Sequence, residues 1–188
     1  MKTNSSSSII FIYDELMTKD VQKTLGLELE FLCYAFTRGK MYWMNGYPIK
    51  RKKQKKYFYI PPLGKKRTGV VYGALFKIND WENEKLKYYA YYGSTIQYTE
   101  SITEFDYYKP IEILCTPIKF KSWSDFKVMR FEKGKKVICT TFQGNEKNKN
   151  IERSIKKNHY YTVPKGLDDK SYIKLIKERN DENGLDRY

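Results

Sequence analysis

The chain of 188 residues contains one histidine, His159, and three cysteines. A single imidazole excludes any mechanism that needs two. A Ser/His or Cys/His pair would have to recruit His159 from a Lys- and Asn-rich stretch. Cys33, Cys115 and Cys139 are odd in number, widely spaced and not arranged as C-x-x-C, so neither a disulfide framework nor a zinc-thiolate site is suggested. No metal and no cofactor is expected. No apolar run approaches the roughly 18 to 20 residues that cross a bilayer, and no apolar signal core follows the polar residues 1–8. The expectation is a soluble, cytoplasmic protein with reduced thiols and no membrane partner.

What the chain does have is positive charge and aromatic rings. Lys and Arg number 36 against 22 Asp and Glu, a formal charge of +14, and 16% of residues are aromatic, with 18 tyrosines and 10 phenylalanines. A hydrophobic fraction of 40% supplies a core, so disorder is excluded, and the length suits one domain. The charge has two readings. Only seven of the basic residues are Arg, and Lys, Tyr, Asn and Ile are all abundant, as an AT-rich genome would produce. The densest run, KRKKQKK at 50–56, lies between a Gly-Tyr-Pro turn and an apolar stretch at 57–60, which reads as a solvated hairpin loop. Lysines that neutralise phosphates give the alternative, a loop facing an anion or a polynucleotide.

Patterning along the chain predicts an α+β protein. Residues 1–8 form a polar lead and 9–188 one domain, with 145–165 as an exposed insertion or loop. Strands are expected over 9–13, 29–36, 38–44, 57–60, 68–78, 107–115, 126–131 and 137–142, with Glu132 to Lys135 as a tight turn between the last two. Thr18 is placed to cap a short helix over 19–25 stopped by Gly26. Asn79 or Asp80 opens another through about 89, and Asp168 or Asp169 caps a last one ended by Gly184. A single mixed, strongly curved sheet or barrel with packed helices is the simplest architecture.

The order of these segments resembles the gamma-glutamylcyclotransferase superfamily, also called AIG2-like. The run FIYDELM at 11–17 is similar to its F-x-Y-G-[ST]-L/N opening, and AFTRGKMYWMNGYP at 35–48 to its A-x-x-x-G-x-L/M-Y…G-Y-P segment. GVVYGALF at 69–76 resembles the V-x-G-x-L/V-Y/F strand, and KGKKVICTTF at 133–142 the late hairpin. The tail YIKLI at 172–176 followed by ENGLDRY at 182–188 is similar to the ending Y-x-x-x-I…E-N-G-L-P-x-x-Y. The resemblance covers nearly the whole chain.

It implies a cyclotransferase-like fold and a chemistry with two parts. Backbone N–H groups of the Y-G-x-L loop hold substrate oxygens, and a glutamate in an L-D-x-x-E-G segment accepts the amine proton as 5-oxoproline is released. This sequence departs from both. The segment YYAYYG at 88–93 puts Tyr92 at the general-base position, and no Asp or Glu occurs over 85–99. A phenol with a pKa of about 10 is a poor base near pH 7. Asp14 stands where the family has glycine, and Glu15 where a small residue is usual.

Three functional expectations stay open. The first is a non-catalytic or catalytically divergent protein whose pocket beside the loop binds a small, anionic or nucleotide-like ligand. Its contacts would come from Tyr13, Asp14, Glu15, Leu16, Met17, Tyr42, Tyr72, Tyr89, Tyr91 and Tyr92. A phage or mobile-element protein that sequesters a host signalling molecule in the host cytoplasm would fit this composition. The second is a cyclotransferase using a relocated carboxylate, Glu15, Glu100 or Glu104. The third, less favoured, is a protein-binding or nucleic-acid-binding module that presents 50–56 and 65–67.

Overall fold

In the computed structural model, the described residues are 8–17, 22–23, 26–45, 55–62, 69–79, 86, 108–121, 124–125, 128, 130–157 and 160–161. Nine strands form one sheet: β1 (Ser8–Ile12), β2 (Glu30–Arg38), β3 (Lys40–Asn45), β4 (Lys55–Ile60), β5 (Val70–Ile78), β6 (Tyr108–Lys119), β7 (Glu132–Lys133), β8 (Val137–Gly144) and β9 (Tyr160–Tyr161). Their order is β7-β6-β2-β5-β1-β8-β4-β3-β9, and β6 also pairs with β8. That extra pairing closes β6, β2, β5, β1 and β8 into a five-stranded mixed barrel. Closure satisfies the backbone groups that an open sheet would leave at those edges. Strands β4, β3 and β9 extend the sheet outward from β8.

The apolar runs at 9–13 and 68–78 become β1 and β5, whose central residues are covered on both faces. β1 lies antiparallel to β5, with Phe11 opposite Leu75, and parallel to β8 at Ile10 and Thr140. Ile10, Phe11, Ala74, Leu75, Phe76 and Ile78 are all buried. Burying one such large side chain stabilises by about 1.5–3 kcal/mol. Gly73 is required by proximity: a Cβ there would sit 2.2 Å from the Ile12 carbonyl oxygen. The glycine of the family-like strand therefore lets β1 approach β5. At the corner between β2 and β3, Gly39 has φ +148 and a Cβ would meet Tyr59 Cε2 at 2.2 Å. A side chain there would be both strained and crowded.

The region after β6 corrects two expectations. Residues 126–131 were expected as a strand, but the described residues around them form a helical turn, with the Val128 N–H on Ser124 O and the Arg130 N–H on Asp125 O. A short apolar run does not by itself distinguish strand from helix, and Ser124 and Asp125 supply turn chemistry at its start. The tight turn expected at Glu132 to Lys135 is also absent, because β7 pairs with β6 rather than with β8. β6 meets β8 from Tyr108↔Gly144 to Cys115↔Val137, then β7 at Ile118↔Lys133, one residue out of that register. β7 and β8 are thus two parts of one interrupted strand along β6, and the Gly134 N–H reaches Pro117 O across the break.

One α-helix is described along its whole length, α1 (Lys149–Lys156), within the segment expected to be exposed. Asn148 Oδ1 accepts from the Ile151 N–H at its start, and Ile151 and Ser154 are buried on its inner side. Of the expected helices over 19–25 and 79–89, Gln22, Lys23 and Leu86 are described as helical. The first ends as expected at Gly26: its N–H bonds Lys23 O while the Leu27 N–H bonds Gln22 O, the paired closure of a Schellman motif. The last expected helix, over 168–184, lies outside the described residues.

Candidate functional site

The loop that leaves β1 carries the family-like motif, and its geometry follows from Asp14. Residues Glu15–Met17 form a 3-10 turn in which the Met17 N–H bonds Asp14 O at 3.0 Å. The Asp14 side chain folds over the same turn, with Oδ1 accepting from the Leu16 N–H at 3.1 Å. Asp favours this Asx arrangement because its short carboxylate reaches the amide two residues on. Gln22 adds an outside tie, donating from Nε2 to Leu16 O at 2.7 Å while 4% exposed. The Leu16 and Met17 amides, two of the donors that could face a ligand oxygen, are both satisfied within the loop.

Tyr13 anchors this loop to the barrel. Its hydroxyl donates to Phe142 O at 2.7 Å and accepts from the Tyr59 N–H at 3.0 Å. Burial, reinforced by neighbouring Tyr108 and Asp14, pushes its phenol well above the ordinary value, so it is a neutral hydrogen-bonding group. Tyr59 continues the network, donating from its hydroxyl to Arg38 O at 2.6 Å; burial raises its pKa to about 12. Thr37, which interacts with the Tyr59 hydroxyl, donates to Leu114 O at 3.0 Å. This connected polar seam joins β1, β4, β8, β2 and β6. Cys115 and Cys139 lie beside it, buried, with Sγ atoms 3.2 Å apart across β6 and β8. Their hydrogen bond and burial push the Cys115 thiol far up, so it serves as a neutral packing group.

The residues singled out from sequence separate into several environments. Tyr13, Leu16, Met17 and Tyr42 are buried, Tyr42 stacked on Phe58 with centroids 5.5 Å apart. Asp14 is partly buried and holds the turn as described. Glu15 lies on the 3-10 turn by its backbone. Tyr72 is half-buried, on the opposite side of β5 from Gly73. Tyr89, Tyr91, Tyr92, Glu100, Glu104, the run at 65–67 and residues 50–54 of the basic run at 50–56 lie outside the described residues, while Lys55 and Lys56, expected in a loop, begin β4.

One feature went unread in the sequence: a run of rings on β2, β5 and the crossover after β6. Phe31 packs against Phe76 and Tyr34, Tyr34 against Phe120, and Phe120 against Phe131. The run ends in a triangle of half-buried rings, Phe36, Tyr72 and Phe131, with centroids 5.8 to 6.1 Å apart. The available signal was the register: aromatic residues at 34 and 36 share a face, and Phe36 pairs directly with Tyr72.

No protein-family model matches the chain, and no curated protein matches it. Solved structures do. A protein described as gamma-glutamyl cyclotransferase aligns over 96% of this chain and 82% of its own, with TM-score 0.53 and 16% identity. A Homo sapiens protein described as uncharacterized aligns over 95% and 81%, again with TM-score 0.53 and 16% identity. The closed mixed barrel, with a loop leaving its first strand at Tyr13 and strands that extend beyond the closure, is accordingly the gamma-glutamyl cyclotransferase-like fold.

Proposed function

We propose that this chain uses the cyclotransferase-like barrel as a non-catalytic scaffold that binds a small anionic, nucleotide-like ligand. The observation that carries the reading is the Asp14 carboxylate on the Leu16 N–H. In the gamma-glutamyl reaction that the resemblance implies, loop amides would hold substrate oxygens. Here one of those amides, on Leu16, is taken by the chain's own carboxylate, and the amide that follows it, on Met17, bonds Asp14 O. The negative side chain would also repel a substrate carboxylate. The second departure is independent: no carboxylate occurs over 85–99, where the resemblance places the base. Two losses in different segments remove both halves of the chemistry while the barrel is retained.

The positive side of the reading comes from charge and rings. A formal charge of +14 favours an anionic ligand, and a surplus of aromatic side chains favours one with a flat ring. The ligand contacts are expected from groups other than the Leu16 and Met17 amides. Sequestration of a host signalling nucleotide by a phage or mobile-element protein is a role such a scaffold would serve. The test pairs two assays on the full chain. Nucleotides should raise the melting temperature by mass action, and gamma-glutamyl peptides should release no 5-oxoproline. Release of 5-oxoproline, or no shift across a broad nucleotide panel, would overturn the reading.

A further inference from the structure

We infer that the Phe36, Tyr72 and Phe131 triangle, with Lys133, is the docking site of a mononucleotide: the base lies against the rings and the phosphate faces the lysine. The three rings come from separate parts of the chain. Phe36 on β2 and Tyr72 on β5 are cross-strand partners, and Phe131 arrives from the crossover just before β7. Each is half-buried, so each is fixed by packing on one side while retaining accessible surface. Centroid spacings of 5.8, 6.1 and 6.1 Å, with ring planes tilted by 57°, 50° and 70°, make the cluster compact. Rings already immobilised by a core lose little entropy when a base is added.

The charge at this site has the sign a phosphate requires. Lys133 Nζ stands 5.8 Å from the Phe36 ring centroid, on an exposed residue of β7. Arg38, also exposed, lies two residues beyond Phe36 and so on the same side of β2, paired in register with Val70. The acidic residue next to Lys133 is Glu132, whose carboxylate is bonded to Lys121 at 2.7 Å. Aromatic faces beside a cation recognise a flat base that carries negative charge. A polynucleotide needs platforms repeated along its length, whereas these three rings form one cluster, which favours a single nucleotide. This site rests on the ligand-binding reading above and locates it away from the Tyr13–Met17 loop.

The experiment uses calorimetric titration of the full chain with ADP, adenosine, pyrophosphate and an oligothymidylate. Two variants test the site. Lys133→Glu reverses the exposed charge, and Tyr72→Leu retains apolar bulk but removes an aromatic face; circular dichroism checks that both fold. The expected result is that ADP binds more tightly than adenosine or pyrophosphate, and that each variant weakens ADP by about tenfold or more. ADP binding undiminished in both variants overturns this site and leaves the ligand-binding reading standing. Failure of ADP and of every other nucleotide to bind overturns both. Oligothymidylate binding that falls steeply with salt and exceeds that of ADP would instead assign the surface to single strands.

Discussion

Replacing Tyr13 by Phe removes one oxygen atom and should destabilise the protein out of proportion to that change. The ring stays, so no large cavity opens and the contact with Phe11, at 6.3 Å between centroids, is preserved. What is lost is the hydroxyl that receives the Tyr59 N–H and donates to Phe142 O. Both are backbone groups beside buried side chains, Tyr59 being 1% exposed and Phe142 8%. A buried polar group left without a partner costs about 1–3 kcal/mol. Two such groups, with some relaxation or water entry, give about 2–4 kcal/mol. For a chain of this size that corresponds to roughly 4–16 °C in melting temperature. Urea unfolding measures it as a fall in midpoint at constant slope. Thr141→Val sets the scale, since it removes a single buried bond, from Thr141 Oγ1 to Phe11 O at 2.7 Å. A Tyr13→Phe cost below about 0.5 kcal/mol, the range of ordinary surface substitutions, would refute the claim that this hydroxyl fastens the loop to the barrel.

Other consequences follow from the same interior. Tyr59 has a folded pKa of about 12, above its unfolded value, so it binds a proton in the native state after the unfolded chain has released it. Its contribution is complete below about pH 10 and lost as pH rises toward 12, a loss that urea midpoints should register and Tyr59→Phe should reduce. Ellman's reagent on the native protein should leave Cys115 and Cys139 unmodified and label all three thiols only in denaturant; rapid native labelling of the pair would contradict their burial. Asp14→Ala should lower stability by about 0.5–2 kcal/mol through loss of the Leu16 cap, while Asp14→Asn, which keeps an acceptor at the same atom, should retain most of it.

Much of this architecture was readable because it rests on patterns a single chain carries. The apolar runs of β1 and β5 become barrel strands, and Gly26 ends a helical segment where a positive φ of 63 is required. The family-like order of segments led to the barrel that the solved structures also display. The region from 120 to 136 was less readable, because its apolar residues serve two elements. Phe120 and Phe131 return to the rings of β2, and the described residues between them turn rather than extend. The interruption between β7 and β8 depends on their common neighbour β6, a long-range pairing that local turn residues do not encode. At the loop, the resemblance set Asp14 at a glycine position, but only the geometry assigns its carboxylate to the Leu16 amide. The same limit applies to Tyr13, since a tyrosine at a strand end suits a ligand contact or an internal tie equally, and here both bonds of its hydroxyl run inward.

The proposal above is that a cyclotransferase-like barrel works here without gamma-glutamyl chemistry, and one assay addresses it. The full chain and its Asp14→Gly variant are incubated with a gamma-glutamyl dipeptide at enzyme-level concentration, and 5-oxoproline is quantified by mass spectrometry. The account predicts no release above the uncatalysed background from either protein: the first has its loop amide filled, and the second still has no carboxylate over 85–99. Catalytic turnover by the unaltered chain would contradict it.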